Sequence, residues 1–89
     1  MREQQLQSKI IKELEKQGAW VVKVISANKR GTPDLLVCLK GKFYAIEVKA
    51  PGKLSTVSEI QKYQLNKIIE AGGVAIISDN SVHALTQCV

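Results

Sequence analysis

Residues 34–49 read DLLVCLKGKFYAIEVK, two apolar runs, DLLVCLK and FYAIEVK, on either side of Gly41 and Lys42. A glycine first in a two-residue connection suits a type II′ turn, so the runs are expected to pair as an antiparallel hairpin. With Gly41 and Lys42 as the turn, Lys40 faces Phe43, and counting outward sets Leu36 opposite Glu47 and Asp34 opposite Lys49. Residues directly opposite in such a pair point to the same face. Asp34, Glu47 and Lys49 therefore share one face at the end away from the turn. Leu35, Val37, Leu39, Tyr44, Ile46 and Val48 form an apolar opposite face. Leu36, Cys38 and Ala45 stand on the trio's own face, which a helix is expected to cover, leaving Cys38 buried. The convergence depends on the turn, because a register slip by an odd number would move Asp34 to the other face.

Outward from the hairpin, the pattern changes period. Leu6, Ile10, Ile11 and Leu14 recur at helical spacing between Glu3 and Gln17, and Gly18 suits a helix end. AWVVKVI, residues 19–25, is rich in β-branched and aromatic residues and reads as a strand. The basic loop SANKRGTP follows. After APGKLST, Ser58 and Gln61 have capping-box spacing and open a second helix to about Ala71, ended by Gly72 and Gly73. VAIIS, residues 74–78, is a further strand, and residues 80–89 fit either a short strand or a short helical turn. The expected class is α/β, a mixed sheet flanked by helices in the order α-β-β-β-α-β.

Eighty-nine residues suffice for one core, so residues 1–89 are expected to form a single domain. Hydrophobic residues at 45% and charged residues at 24% match a folded chain rather than a disordered tail. The polar start, MREQQLQSK, and the lack of any long apolar run indicate neither a secretory signal nor a membrane span. An intracellular location is expected. Cys38 and Cys88 have neither zinc-site spacing nor disulfide density, and Cys88 reads as incidental. His83 is the only histidine and stands far from any acidic cluster, so zinc and Cys/His nucleophilic schemes lack parts.

The acids on the hairpin face would be partly desolvated, and buried carboxylates need partners. A hard divalent cation such as Mg²⁺ or Mn²⁺ would satisfy them, and would polarise a phosphodiester and activate water. Lys49, two residues beyond Glu47, is placed to orient that water and stabilise developing phosphorane charge. A structural Asp34–Lys49 ion pair with Glu47 exposed fits the same charges. At about 100° per residue, Glu3 falls in the stripe of Leu6, Ile10 and Leu14 and points inward, unless the first turn frays and its carboxylate only favours the helix dipole. Gln61 falls on the stripe of Leu65 and Ile68 facing the sheet, although capping alone would also explain it.

In order along the chain stand Glu3, GTPDLLV with Asp34, AIEVKAP with Glu47 and Lys49, GKLS, and Gln61 before AGG. From Glu3 to about Ser78 this pattern resembles the VRR nuclease domain, the virus-type replication and repair branch of the PD-(D/E)XK nuclease superfamily. The resemblance implies a restriction-endonuclease-like sheet and Mg²⁺ or Mn²⁺ held by Asp34, Glu47, the Val48 backbone carbonyl and Glu3. It also implies that Lys49 is the lysine of the Glu-x-Lys motif and that Gln61 faces the active site. The segment STVSEI before Gln61 departs from the pattern by being longer than the short connection expected there. Bare domains of this family resemble enzymes that resolve four-way (Holliday) junctions, which requires two active sites in a symmetric homodimer. A phage or other mobile element is the implied setting.

Thirteen Lys and Arg against eight Asp and Glu give a net charge of +5, which favours nucleic acid but also fits a solvated basic surface. Lys29, Arg30, Lys53, Lys62 and Lys67 are the candidate DNA-binding residues, whereas Lys9, Lys12 and Lys16 fit a solvated helix face. Trp20, Phe43, Tyr44 and Tyr63 are the aromatic residues, too few to favour a base-stacking single-strand binder. The expected activity is metal-dependent endonucleolytic hydrolysis of branched DNA. Two rivals are a non-catalytic nucleic-acid-binding module of the same fold and a structural subunit in which the trio is an ion-pair cluster.

Overall fold

Burial alternates from Leu35 to Leu39 and is unbroken from Tyr44 to Val48 in the structure, a computed structural model that describes residues 1–88. The elements are α1 (Glu3–Lys16), β1 (Trp20–Lys23), β2 (Leu35–Leu39), β3 (Lys42–Val48), α2 (Glu59–Glu70), β4 (Val74–Ser78) and α3 (Ser81–Gln87). The strands form one mixed sheet in the order β1-β2-β3-β4, with β1, β2 and β3 antiparallel in turn and β4 parallel to β3. A parallel neighbour requires a crossover, which α2 supplies.

Leu35, Val37, Leu39, Tyr44, Ile46 and Val48 are all buried, as the alternation predicts. They meet Leu6, Ile10 and Leu14 of α1 and Ala84 of α3 in the core, together with Ile76 and Cys88. Burial pushes the Cys88 thiol up to about 11, so this residue is a core thiol rather than an incidental tail residue. The opposite face carries α2, which packs on β4 and β3 through Leu65.

The hairpin turn differs from expectation. Lys40 and Gly41, with φ of 52° and 80°, form the connection, so both central residues are left-handed as a type I′ turn requires. Leu36 accordingly pairs with Ala45 rather than Glu47, and Cys38 with Phe43. A two-residue offset preserves the pleat, so every side chain keeps its predicted face. Continued by one pair beyond Leu35–Ile46, the ladder sets Asp34 opposite Glu47, not Lys49. The type I′ turn matches the right-handed twist of the strands, which compensates the left-handed conformation of Lys40.

The helix ends follow their residues. Gly18 N–H bonds to the Glu15 carbonyl and Ala19 N–H to Leu14, while Gly72 bonds to Ile69 and Gly73 to Ile68, the paired pattern of a Schellman closure. The ambiguous tail, up to Cys88, is helical: Asn80 Oδ1 accepts His83 N–H at 2.7 Å and opens α3. The STVSEI segment contains the end of a 3₁₀ turn, Leu54–Thr56, which absorbs its extra length before Ser58 caps α2. Cys38 is exposed, because α2 lies over β3 and β4 and leaves β1 and β2 uncovered at the turn end.

Candidate active site

The parallel crossover brings the N-terminus of α2 to the same sheet end as the last residues of β3. That end holds Asp34, Glu47, Lys49 and Gln61. Asp34, just before β2, is fixed from both sides: its carbonyl accepts Val24 N–H, and its Oδ2 accepts Val48 N–H, each at 2.8 Å. The carboxylate therefore leans across onto β3 in place of a ladder partner.

Glu47 is 2% exposed. Its Oε2 accepts Gln61 Nε2–H at 2.9 Å and lies 3.4 Å from Lys49 Nζ. Its Oε1 is buried with no hydrogen-bond partner. Burial, reinforced by the negative charge of Asp34 and opposed by Lys49, raises the Glu47 carboxyl from 4.5 to about 7. The structural alternative, an Asp34–Lys49 pair with Glu47 exposed, does not describe this site: Lys49 pairs with Glu47, which is buried.

Gln61 performs both roles its position allows. Its Oε1 accepts Ser58 N–H at 2.9 Å while Ser58 Oγ accepts Gln61 N–H at 3.2 Å, which completes the capping box. The same oxygen accepts Lys49 Nζ at 3.2 Å, and the amide nitrogen holds Glu47. A single side chain thus ties the helix start to the acid and the lysine.

Glu3 lies elsewhere. It is half-buried in the first turn of α1, the helix layer whose buried residues pack against the other face of the sheet. Among the described residues no three His, Cys, Asp or Glu side chains form a metal-binding group, so Glu3 is not brought to the Asp34–Glu47 pair.

The orphaned Glu47 oxygen and the neighbouring Asp34 carboxylate are hard donors, and an unsatisfied buried acceptor costs about 1–3 kcal/mol. Mg²⁺ is commonly held by one or two carboxylates with water and substrate phosphate completing its shell. The donor set fits such an ion.

Two contacts beside the site were not visible in the sequence. A Cβ on Gly31 would stand 2.8 Å from the backbone carbon and oxygen of Ile60, so the β1–β2 loop lies directly on the first turn of α2. Gln64 Nε2 donates to the Arg30 carbonyl at 3.1 Å, one helical turn beyond Gln61. The paired glutamines at helical spacing were the available signal for this latch. It holds the exposed Lys29 and Arg30 beside the acids. Lys53 is exposed on a loop pinned by Gly52 N–H to Asp79 at 2.9 Å. Lys62 pairs with Glu59 at 3.2 Å, and Lys67 lies 3.9 Å from Glu70 and 5.9 Å from the Tyr63 ring centre. His83 Nδ1 is 3.1 Å from Ser78 Oγ, a contact within the β4–α3 connection.

No protein-family model matches the chain. A protein of Acyrthosiphon pisum secondary endosymbiont phage 1, named "Putative nuclease p44", is 31% identical over 81 residues, covering 90% of this chain and 85% of the phage protein. A solved structure described as a VRR_NUC domain superposes with a TM-score of 0.79 over 94% of this chain and 90% of that one, at 22% identity. Sequence relationship across most of the phage protein, together with a shared VRR_NUC fold, establishes that the chain belongs to the VRR nuclease family.

Proposed function

We propose that this protein is a Mg²⁺- or Mn²⁺-dependent endodeoxyribonuclease acting on branched DNA inside the cell, with Asp34 and Glu47 holding the ion. The observation that carries the reading is the buried, partnerless Glu47 Oε1 beside Asp34, with Lys49 and Gln61 converging on the other oxygen of the same carboxylate. When bound, the cation polarises the phosphodiester and lowers the pKa of a water molecule.

The chain's own groups divide the remaining work. Gln61 holds Glu47 Oε2, which leaves Oε1 for the ion, and its carbonyl holds Lys49. Lys49 carries positive charge to the position where phosphorane charge develops and orients the attacking water. The Val48 carbonyl is a further ligand the family resemblance implies, whereas the Glu3 carboxylate, which the resemblance also implies, is not grouped with the Asp34–Glu47 pair. Lys29 and Arg30 on the latched loop, with Lys53, Lys62 and Lys67, hold backbone phosphates, so affinity falls steeply with salt.

Four-way junctions are the branched substrate that the VRR nuclease resemblance implies. Cutting both strands of a junction needs two copies of this site in a symmetric homodimer. A binding module without catalysis would not require the acid, lysine and glutamine set found here. The test is cleavage of labelled four-way junction, flap and duplex with each metal. Junction cleavage that needs metal supports the reading, and binding unaffected by metal with no cleavage overturns it.

A further inference from the structure

The face that carries Asp34 and Glu47 continues away from the site, half-buried at Val22 and Leu36, and opens to solvent at Trp20, Cys38 and Phe43. Trp20 pairs with Cys38 and Cys38 with Phe43, so these three form one row across β1, β2 and β3. Val22, Leu36 and Ala45 form the next row, and Asp34 and Glu47 extend the same face beyond it. Trp20 is 63% exposed and Phe43 43%, and Cys38 is exposed as well. Phe43 lies against the α2–β4 turn, where a Cβ on Gly73 would stand 3.0 Å from its ring, so α2 walls the surface on one side. The β1–β2 loop closes the site end, and the β1 edge is open.

The strands and loops that form this surface are poor in acids away from the site. No acidic residue occurs between Lys16 and Asp34, and Glu47 is the only acid from β2 through β3. Exposed Lys29 and Arg30 stand at the site end and exposed Lys40 at the hairpin turn. Four residue steps along the chain separate Cys38 from Asp34, about 13 Å at about 3.3 Å per residue. That is the length of about four stacked nucleotides at about 3.4 Å each.

Resting on the nuclease reading above, we infer that the open β1–β2 face is a stacking platform for unpaired nucleobases of the strand whose phosphate lies at Asp34 and Glu47, with Trp20 as its main aromatic surface. The aromatic residues are few in the sequence, yet two of them fall in one row at the end of a cation-flanked face continuous with the site. Base–aromatic stacking is indifferent to sequence, which suits an enzyme directed by DNA shape. The substrate class this selects is duplex DNA with unpaired bases beside a branch.

Trp20 is the only tryptophan, so its emission reports this face alone. In chelator, the full-length protein is titrated with oligo(dT), a forked duplex with unpaired arms and a blunt duplex, each also carrying a fluorescein label for anisotropy. Oligo(dT) and the fork should quench Trp20 by more than half as anisotropy saturates, whereas the blunt duplex should bind without quenching. Trp20→Ala should weaken oligo(dT) binding about tenfold, and Trp20→Phe should restore most of it. Unchanged emission with bound single strand would overturn the inference, as would a blue shift that grows with protein concentration alone, which would assign the face to a second copy. If quenching fails while metal-dependent cleavage persists, only the platform fails. If quenching occurs but no DNA is cut, the nuclease reading fails instead.

Discussion

Gln61 Nε2 donates to Glu47 Oε2 at 2.9 Å while Gln61 Oε1 accepts from Ser58 N–H at 2.9 Å and from Lys49 Nζ at 3.2 Å. One amide therefore links the α2 cap to the acid and lysine of β3. Removing it separates two effects that usually coincide. Gln61→Ala should lose the reciprocal capping bond, costing about 0.5–2 kcal/mol of stability, and should also lower cleavage. Gln61→Glu keeps an oxygen for the cap but sets a second carboxylate against Glu47. It should retain most stability at mildly acidic pH and still lose activity at neutral pH. Denaturant midpoints alongside cleavage rates check this, and full activity in Gln61→Glu would show that the amide only caps.

Metal-free stability should fall as pH rises. The Glu47 carboxyl is raised from 4.5 to about 7 by burial and the Asp34 charge, so between those values the folded state holds more protons than the unfolded chain. Stability contributed by the protonated form is complete below about 4.5 and lost on passing through about 7, a change of roughly 3 kcal/mol at most. Glu47→Gln should flatten this part of the profile. Mg²⁺ or Mn²⁺ favours the ionised carboxylate, so stabilisation by metal should grow over the same window. Melting curves in chelator and in metal read both effects, and identical profiles for wild type and Glu47→Gln would refute the assignment.

Gly31 has φ of 79°, and an added Cβ would meet the Ile60 backbone at 2.8 Å. Gly31→Ala should lift the loop off α2, cost about 1–3 kcal/mol, and weaken DNA binding by displacing Lys29 and Arg30. Gly18→Ala is the control: its φ is 89° but nothing lies within 4 Å of the added carbon. It should lose stability from backbone strain alone and bind DNA normally. Equal DNA affinity in the two variants would remove the latch from the account.

Lys29→Ala and Arg30→Ala should each weaken binding of every DNA shape to a similar degree and reduce the dependence of log affinity on log salt by about one. Anisotropy titrations across a salt series measure the slope. An unchanged slope would place these residues off the phosphate path.

Most of the sheet was legible because its information is local. Alternation along DLLVCLK and FYAIEVK assigned six core residues and the polar trio to the correct faces, and that assignment survived a wrong turn because the register error was two residues. The turn itself was misread because both Gly41-Lys42 and Lys40-Gly41 satisfy a two-residue loop, and only the pairing of the completed sheet distinguishes them. The exposure of Cys38 depended on where α2 crosses the sheet, which no spacing within β2 encodes. The tail was ambiguous because a seven-residue helix spans less than about two turns. Gln61 was legible from its helical position. The Asp34–Val48 bond and the Gly31–Ile60 contact are tertiary approaches that composition does not record.

The central claim is that Asp34, Glu47 and Lys49 form a metal-dependent phosphodiesterase centre. The most direct measurement is cleavage of a labelled four-way junction by wild type, Asp34→Ala and Lys49→Ala with Mg²⁺, with Mn²⁺ and in chelator, with binding measured in parallel. Wild type should cut only in the presence of metal, and the variants should bind the junction but cut it at least about a hundredfold more slowly. Cleavage in chelator, or cleavage by the two variants at the wild-type rate, would contradict this.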